Sequence, residues 1–227
     1  MGRVAPLMHT YSTDNDLRPK VIGGIGVISF VSLGVIEYVL SLLIEAFALG
    51  ITLGVASWGL IFFLAFKLFD KRGWKMMILR KLDIVKVPDL NGQWDGWIET
   101  SHNGDPPVPE EAHHPENEPD SEYTKMTASL LIEQTWHKMA IHFETETSSS
   151  DSEGATILTG KGKWPNLTYQ YENNPQPDTP EGMEMHYGTA DLELKEGKNG
   201  RQILKGVYYT GPGRRKHGKM YFEKKNM

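Results

Sequence analysis

Residues 130–143 read LLIEQTWHKMAIHF. Leu130, Ile132 and Gln134 share one phase of a two-residue repeat, and Met139, Ile141 and Phe143 resume it on the far side of Trp136. Successive side chains of an extended chain point to opposite faces, so the stretch predicts two consecutive strands, each with one inward face, and Trp136 at their junction. The same alternation extends in both directions, and strands are predicted at about 91–101, 122–135, 137–147, 153–163, 166–173, 185–195, 201–210 and 216–224. Turn chemistry separates several of them: Ser148-Ser149-Ser150-Asp151, Trp164-Pro165, Glu196-Gly197-Lys198-Asn199-Gly200 and Gly211-Pro212-Gly213.

Consecutive strands with short turns and no helical period predict an all-β domain over 88–227. The expected form is a small eight-stranded antiparallel up-and-down barrel, lipocalin-like, because closure removes both exposed edges. A two-sheet sandwich is the alternative. Phase assigns Trp94, Ile98, Ala190, Leu192, Leu194, Leu204, Gly206, Met220 and Phe222 to the inward face with the residues above. The polar members of that face are Gln134, Tyr208 and Thr210, and a buried amide or hydroxyl needs a hydrogen-bond partner, which either the protein or a ligand supplies.

Before this domain the chain changes character. Residues 21–66 contain only two charged side chains, Glu37 and Glu45. An apolar block of 46 residues is long enough for two crossings of a bilayer core of about 30 Å. A two-helix transmembrane hairpin is therefore expected over 21–69, with spans at about 21–43 and 47–69 and Glu45 in the turn. Ala46-Phe47-Ala48 resembles a signal-peptidase site, but the apolar stretch before it is too long for a signal sequence and a second one follows at once. Arg18 and Lys20 precede the hairpin, while Lys67, Lys71, Arg72, Lys75, Arg80 and Lys81 follow it. The positive-inside rule then places a tail of residues 1–20 and the barrel in the cytoplasm, with the chain multi-pass in the inner membrane. Gly50 and Gly54 form a small-xxx-small pair that suits close helix packing, within the hairpin or between protomers. Glu37 either reaches the interface or lines a polar path between copies. Residues 70–87 read as a basic amphipathic linker, ended by Val87-Pro88.

The composition excludes several classes of function. The chain of 227 residues has no Cys, which removes disulfides, thiolate metal sites and Cys nucleophiles. Residues 88–227 carry 14 basic and 23 acidic side chains, a net of −9, which argues against a partner that is a DNA or RNA polymer. No phosphate loop, Gly-x-Ser-x-Gly or His-Glu-x-x-His is present. No enzyme, resident cofactor or metal site is expected, although His113 and His114 stand among carboxylates in the acidic loop 102–122, whose composition reads as a solvated linker. Arg214, Arg215, Lys216, His217 and Lys219 form the densest basic cluster of the acidic domain and lie next to Tyr208 and Tyr209, a combination suited to a compact phosphate ligand or to a solvated hairpin tip.

Val87-Pro88-Asp89-Leu90-Asn91-Gly92-Gln93-Trp94-Asp95-Gly96, then Ile132-Glu133-Gln134-Thr135-Trp136, then Gly206-Val207-Tyr208-Tyr209-Thr210 and Arg214 or Arg215 before Gly218 give the chain a recognisable order. With the apolar hairpin ahead of them, these residues make it similar to the two-transmembrane, β-strand-rich effectors of bacterial CBASS anti-phage systems. The resemblance implies a barrel that binds a cyclic di- or trinucleotide made by a partner CD-NTase synthase. It further implies a homo-oligomer that forms on activation and disrupts the lipid of the inner membrane. Ligand contacts are expected from Tyr208, Thr210, Arg214, Arg215 and Gln134, with Trp136, Tyr169 and Tyr171 as further stacking candidates. The alternative is a membrane-tethered lipocalin-like protein for a small apolar ligand.

Overall fold

In the computed structural model the described residues are 7–14, 17–46, 57–101, 124–160, 162–175, 185–197, 200–211 and 216–225. The chain divides into two compact units, residues 1–14 with 87–227 and residues 15–86.

Among the described residues the first unit is a closed barrel of nine strands. In chain order they are β1 His9–Thr13, β2 Gly92–Thr100, β3 Thr124–Gln134, β4 Lys138–Glu144, β5 Ser148–Leu158, β6 Asn166–Pro175, β7 His186–Glu196, β8 Gln202–Thr210 and β9 His217–Lys224. Around the wall the order is β1-β4-β3-β2-β9-β8-β7-β6-β5, so β2 to β9 form the antiparallel meander that alternation predicts. The predicted inward phase is correct: Trp94, Leu130, Ile132, Met139, Leu192, Leu204 and Phe222 are at most 1% exposed. Phe143 meets Phe222 edge to face across the lumen, with ring centroids 6.4 Å apart.

The expected count of eight strands is corrected to nine. The segment His9–Thr13, within the expected N-terminal tail, lies between β4 and β5, antiparallel to one and parallel to the other. It fits there because β4 and β5 pair directly only between 142–144 and 149–151. Its central side chain, Tyr11, is 3% exposed and donates from its hydroxyl to the Trp136 carbonyl at 2.7 Å. Asp14 accepts hydrogen bonds from Thr159 N, Thr159 Oγ1 and Gly160 N at 2.7–3.0 Å. Partial burial acts upward on the Asp14 pKa, but these donors together hold it below the usual carboxylate value. The contribution is therefore present at neutral pH and fades as pH falls through that lowered pKa. Tyr11→Ala removes a buried ring and its hydrogen bond, and is expected to lower barrel stability by about 3 kcal/mol. Tryptophan fluorescence in urea measures it, and an unchanged midpoint refutes a structural role for β1.

A second correction concerns β5, which starts at Ser148 and not near residue 153. The turn lies one step earlier: Thr145 N donates to Ser148 O at 2.9 Å, and Ser148 N donates to Thr145 Oγ1 at 3.1 Å. The serine run is strand, with Ser148, Ser150 and Ser152 buried. A bulge between Ser152 and Gly154 then reverses the parity, so that Ala155 and Ile157 continue the face those serines began.

In the second unit, α1 runs from Arg18 to Ala46, 29 residues. At a rise of about 1.5 Å per residue that is roughly 43 Å, more than a bilayer core. Among the described residues, Arg18–Glu45 is the one helix long and apolar enough to cross a membrane. Its apolar side chains point outward, with Val27 65% and Phe30 69% exposed. Glu37 is exposed on this helix. The expected second span is not one uninterrupted helix. Ser57 is extended and caps α2, Trp58–Lys71, accepting from Leu60 N. Fourteen residues reach only about 21 Å. Residues 47–56, with Gly50 and Gly54, lie outside the described residues. Within this unit Trp58 Nε1 donates to Gly26 O at 3.2 Å. A single turn of 3₁₀ helix at Gly73–Lys75 and a short α3, Met77–Lys81, follow.

Candidate ligand-binding site

The barrel interior is divided along its axis. At the end where β3 turns into β4 and β7 into β8, it is packed with Leu90, Trp94, Leu167, Leu194 and Leu204, all buried. Toward the other end the buried side chains carry hydroxyls and amides: Thr100, Thr124, Thr145, Ser148, Ser150, Ser152 and Asn173. Register shows how this end is built. One row of neighbouring inward positions runs Thr124–Thr100–Gly218–Tyr208–Ala190–Tyr169–Ala155 across seven strands. The next row runs Thr210–Gly188–Tyr171–Ser152.

Tyrosines alternate with glycine or alanine in both rows, and the small residues make room for the rings. A Cβ on Gly188 would stand 2.3 Å from Cζ and Oη of Tyr171, and one on Gly218 would stand 2.6 Å from Cε1 of Tyr208. Each ring therefore lies flat over a neighbouring strand. Tyr169 and Tyr171 lie two positions apart on β6 with ring centroids 6.0 Å apart.

Tyr169 is 2% exposed. Burial, with Tyr171 beside it, pushes its phenol above the ordinary tyrosine value, so it remains a neutral O–H donor.

The fold brings four of the predicted contacts together, Tyr169, Tyr171, Tyr208 and Thr210, on β6 and β8 with β7 between them. Thr210 has a further role. Its hydroxyl accepts from Lys216 N at 2.8 Å and donates to Lys216 O at 3.1 Å, and its own N–H donates to Lys216 O at 2.8 Å. These bonds join the end of β8 to the start of β9; Arg214 and Arg215, between them in sequence, lie outside the described residues. His113 and His114 lie outside them as well.

Gln134 and Trp136 are at the opposite, apolar end. The Gln134 amide is already engaged: Oε1 accepts from Leu90 N at 2.8 Å, and Nε2 donates to Pro88 O at 3.2 Å and to the Tyr11 hydroxyl at 3.5 Å. Asn91 completes the clasp, accepting from Gln134 N at 2.7 Å and donating to Gln134 O at 2.8 Å. The serines, threonines and Asn173 buried at the polar end are positions that the sequence reading did not name. Their signal is the alternate spacing 148, 150, 152, which the turn-like composition of the run conceals.

A closed barrel with apolar side chains packed at one end and tyrosines and hydroxyls at the other suits one compact polar molecule. Residues 85–224 match the family model described as Cap15, cyclic dinucleotide receptor domain, and the chain belongs to that family. The kinship with CBASS-associated effectors read from its motifs is thereby correct. The chain is 30% identical over 175 residues to CD-NTase-associated protein 15 of Yersinia aleksiciae. The match takes in 75% of this chain and spans 66% of that relative.

Proposed function

We propose that this protein is a non-enzymatic sensor of a cyclic dinucleotide. In this reading the ligand binds in the polar half of the barrel, and the loaded protein oligomerises and disrupts the inner membrane. The observation that carries the reading is the pair of inward rows in which tyrosines stand beside glycine or alanine, with buried hydroxyls and an amide toward the same end. Two bases ask for aromatic faces and hydrogen-bond donors and two phosphates for hydroxyls and cations, and Arg214 and Arg215 follow β8 in sequence. An apolar carrier is less well supported, because the apolar half is filled by the protein's own side chains.

The same reading has both flanks of the apolar region on one side of the bilayer. It is supported by connectivity, because β1 precedes α1 in sequence while β2 to β9 follow the second unit and all belong to one barrel. In this reading α1 crosses the membrane, a return crossing uses residues between 47 and 71, and the basic flanks favour the cytoplasm for the barrel.

Titration calorimetry of the full chain in nanodiscs against a panel of cyclic di- and trinucleotides tests the ligand. Tyr208→Ala removes a stacking face worth about 1–3 kcal/mol and is expected to weaken binding by about tenfold to a hundredfold, with Tyr208→Phe much milder. Binding of fatty acids and of none of the nucleotides overturns the proposal.

A further inference from the structure

β1 is the stave of the barrel that precedes the membrane region, and α1 begins four residues beyond Asp14. At the N-terminal end of β1, His9 is the register partner of Met139 on β4 and its side chain pairs with Ser152 of β5. His9 Nδ1 faces the Thr10 carbonyl at 3.2 Å and so carries the ring proton. In the neutral imidazole Nε2 is then an acceptor, and the Ser152 hydroxyl donates to it at 2.8 Å. The same oxygen accepts from Ile141 N at 2.9 Å, where β4 and β5 begin to part. The one proton of Ser152 is thus committed to β1. Yet Ser152 faces the lumen as the register partner of Tyr171, in the polar row described above. A phosphoryl oxygen or a base carbonyl offers only lone pairs, so it gains the Ser152 proton only at the expense of His9.

We propose that Ser152 couples occupation of the lumen to β1: a ligand acceptor takes its hydroxyl proton, His9 is released, and the stave that leads into α1 loosens. This inference rests on the reading of the lumen as an anion-binding pocket. Coupling is reciprocal, so holding β1 in place must weaken the ligand. Thr10 and Lys138 provide the means, because they are exposed register partners on β1 and β4 in a chain without cysteine. A disulfide between Thr10→Cys and Lys138→Cys spans a distance typical of paired strands.

The experiment is hydrogen exchange and calorimetry on the full chain in nanodiscs, with whichever member of the cyclic-nucleotide panel binds. Exchange of the amides of residues 9–13 is expected to rise roughly fivefold or more on binding, the equilibrium worth of one hydrogen bond. In Ser152→Ala the same amides are expected to exchange faster without ligand and to respond no further to it. The oxidised double-cysteine variant is expected to bind several-fold more weakly, with parental affinity restored by reductant. Binding with unchanged exchange over 9–13, or a staple that leaves affinity unaltered, overturns this inference and leaves the proposed ligand standing. Failure of every panel member to bind overturns both.

Discussion

Gly206→Ala is expected to prevent the barrel from folding. A Cβ at this position would stand 1.8 Å from the Asp191 carbonyl oxygen and 2.9 Å from Leu192 Cα, both backbone atoms of the adjoining β7. Side chains yield to such an intrusion by changing rotamer, but here β7 and β8 would have to part along a ladder that runs from Gly188–Thr210 to Glu196–Gln202. Gly206 lies on the inward face between Leu204 and Tyr208, where the closed wall bends tightly over its neighbour. The cost is more than about 4 kcal/mol, within reach of the whole stability of a domain this size. Circular dichroism and fluorescence melts of the variant give the result. A cooperative transition within a few degrees of the parent would show that the wall is not bent so closely there. Gly188→Ala is the instructive contrast, because its added carbon meets the far end of the Tyr171 side chain and not backbone.

Gln134→Leu is the second large effect, and it separates two roles that the motif leaves combined. Leucine has nearly the volume of glutamine and keeps the inward packing, but it leaves the buried Leu90 N–H and the Pro88 carbonyl without the amide that joins them. Each unsatisfied buried group costs about 1–3 kcal/mol, so a loss of about 2–5 kcal/mol in unfolding free energy is expected. The segment 88–91, where the chain enters the barrel from the second unit, should lose its exchange protection first. If Gln134 were a ligand contact with no structural duty, the same variant would unfold at the parental urea concentration and fail only in nucleotide binding. Asn91, clasped to the Gln134 backbone, is the second member of this joint, and Asn91→Ala should lower the midpoint in the same direction.

Eight strands, their order and the inward set from Trp94 to Phe222 are all legible in the sequence, because two-residue alternation reports burial directly in a wall with one face to the core. The apolar character of 21–66 is equally local, since a bilayer selects on composition and length. Alternation states only which face a residue is on. It does not state at which end of the lumen that face is met, and so it grouped Gln134 with Tyr208, although one is at the apolar end and the other in the polar rows. Nor does it survive a bulge: the parity change between Ser152 and Gly154 puts the even-numbered serines on the same face as Ala155 and Ile157, while the turn-like composition of 148–151 conceals the strand.

Three features were settled by tertiary structure alone. His9–Thr13 is too short to declare itself a strand, and its partners on β4 and β5 lie more than a hundred residues away. The two tyrosine rows exist only once four or more strands are in register. The start of α2 at Ser57 divides an apolar run that composition treats as continuous. The common cause is that propensity and pattern act over a few residues, whereas the slot between β4 and β5, the convergence of hydroxyls and the clasp around Gln134 are made by segments joined through closure of the barrel.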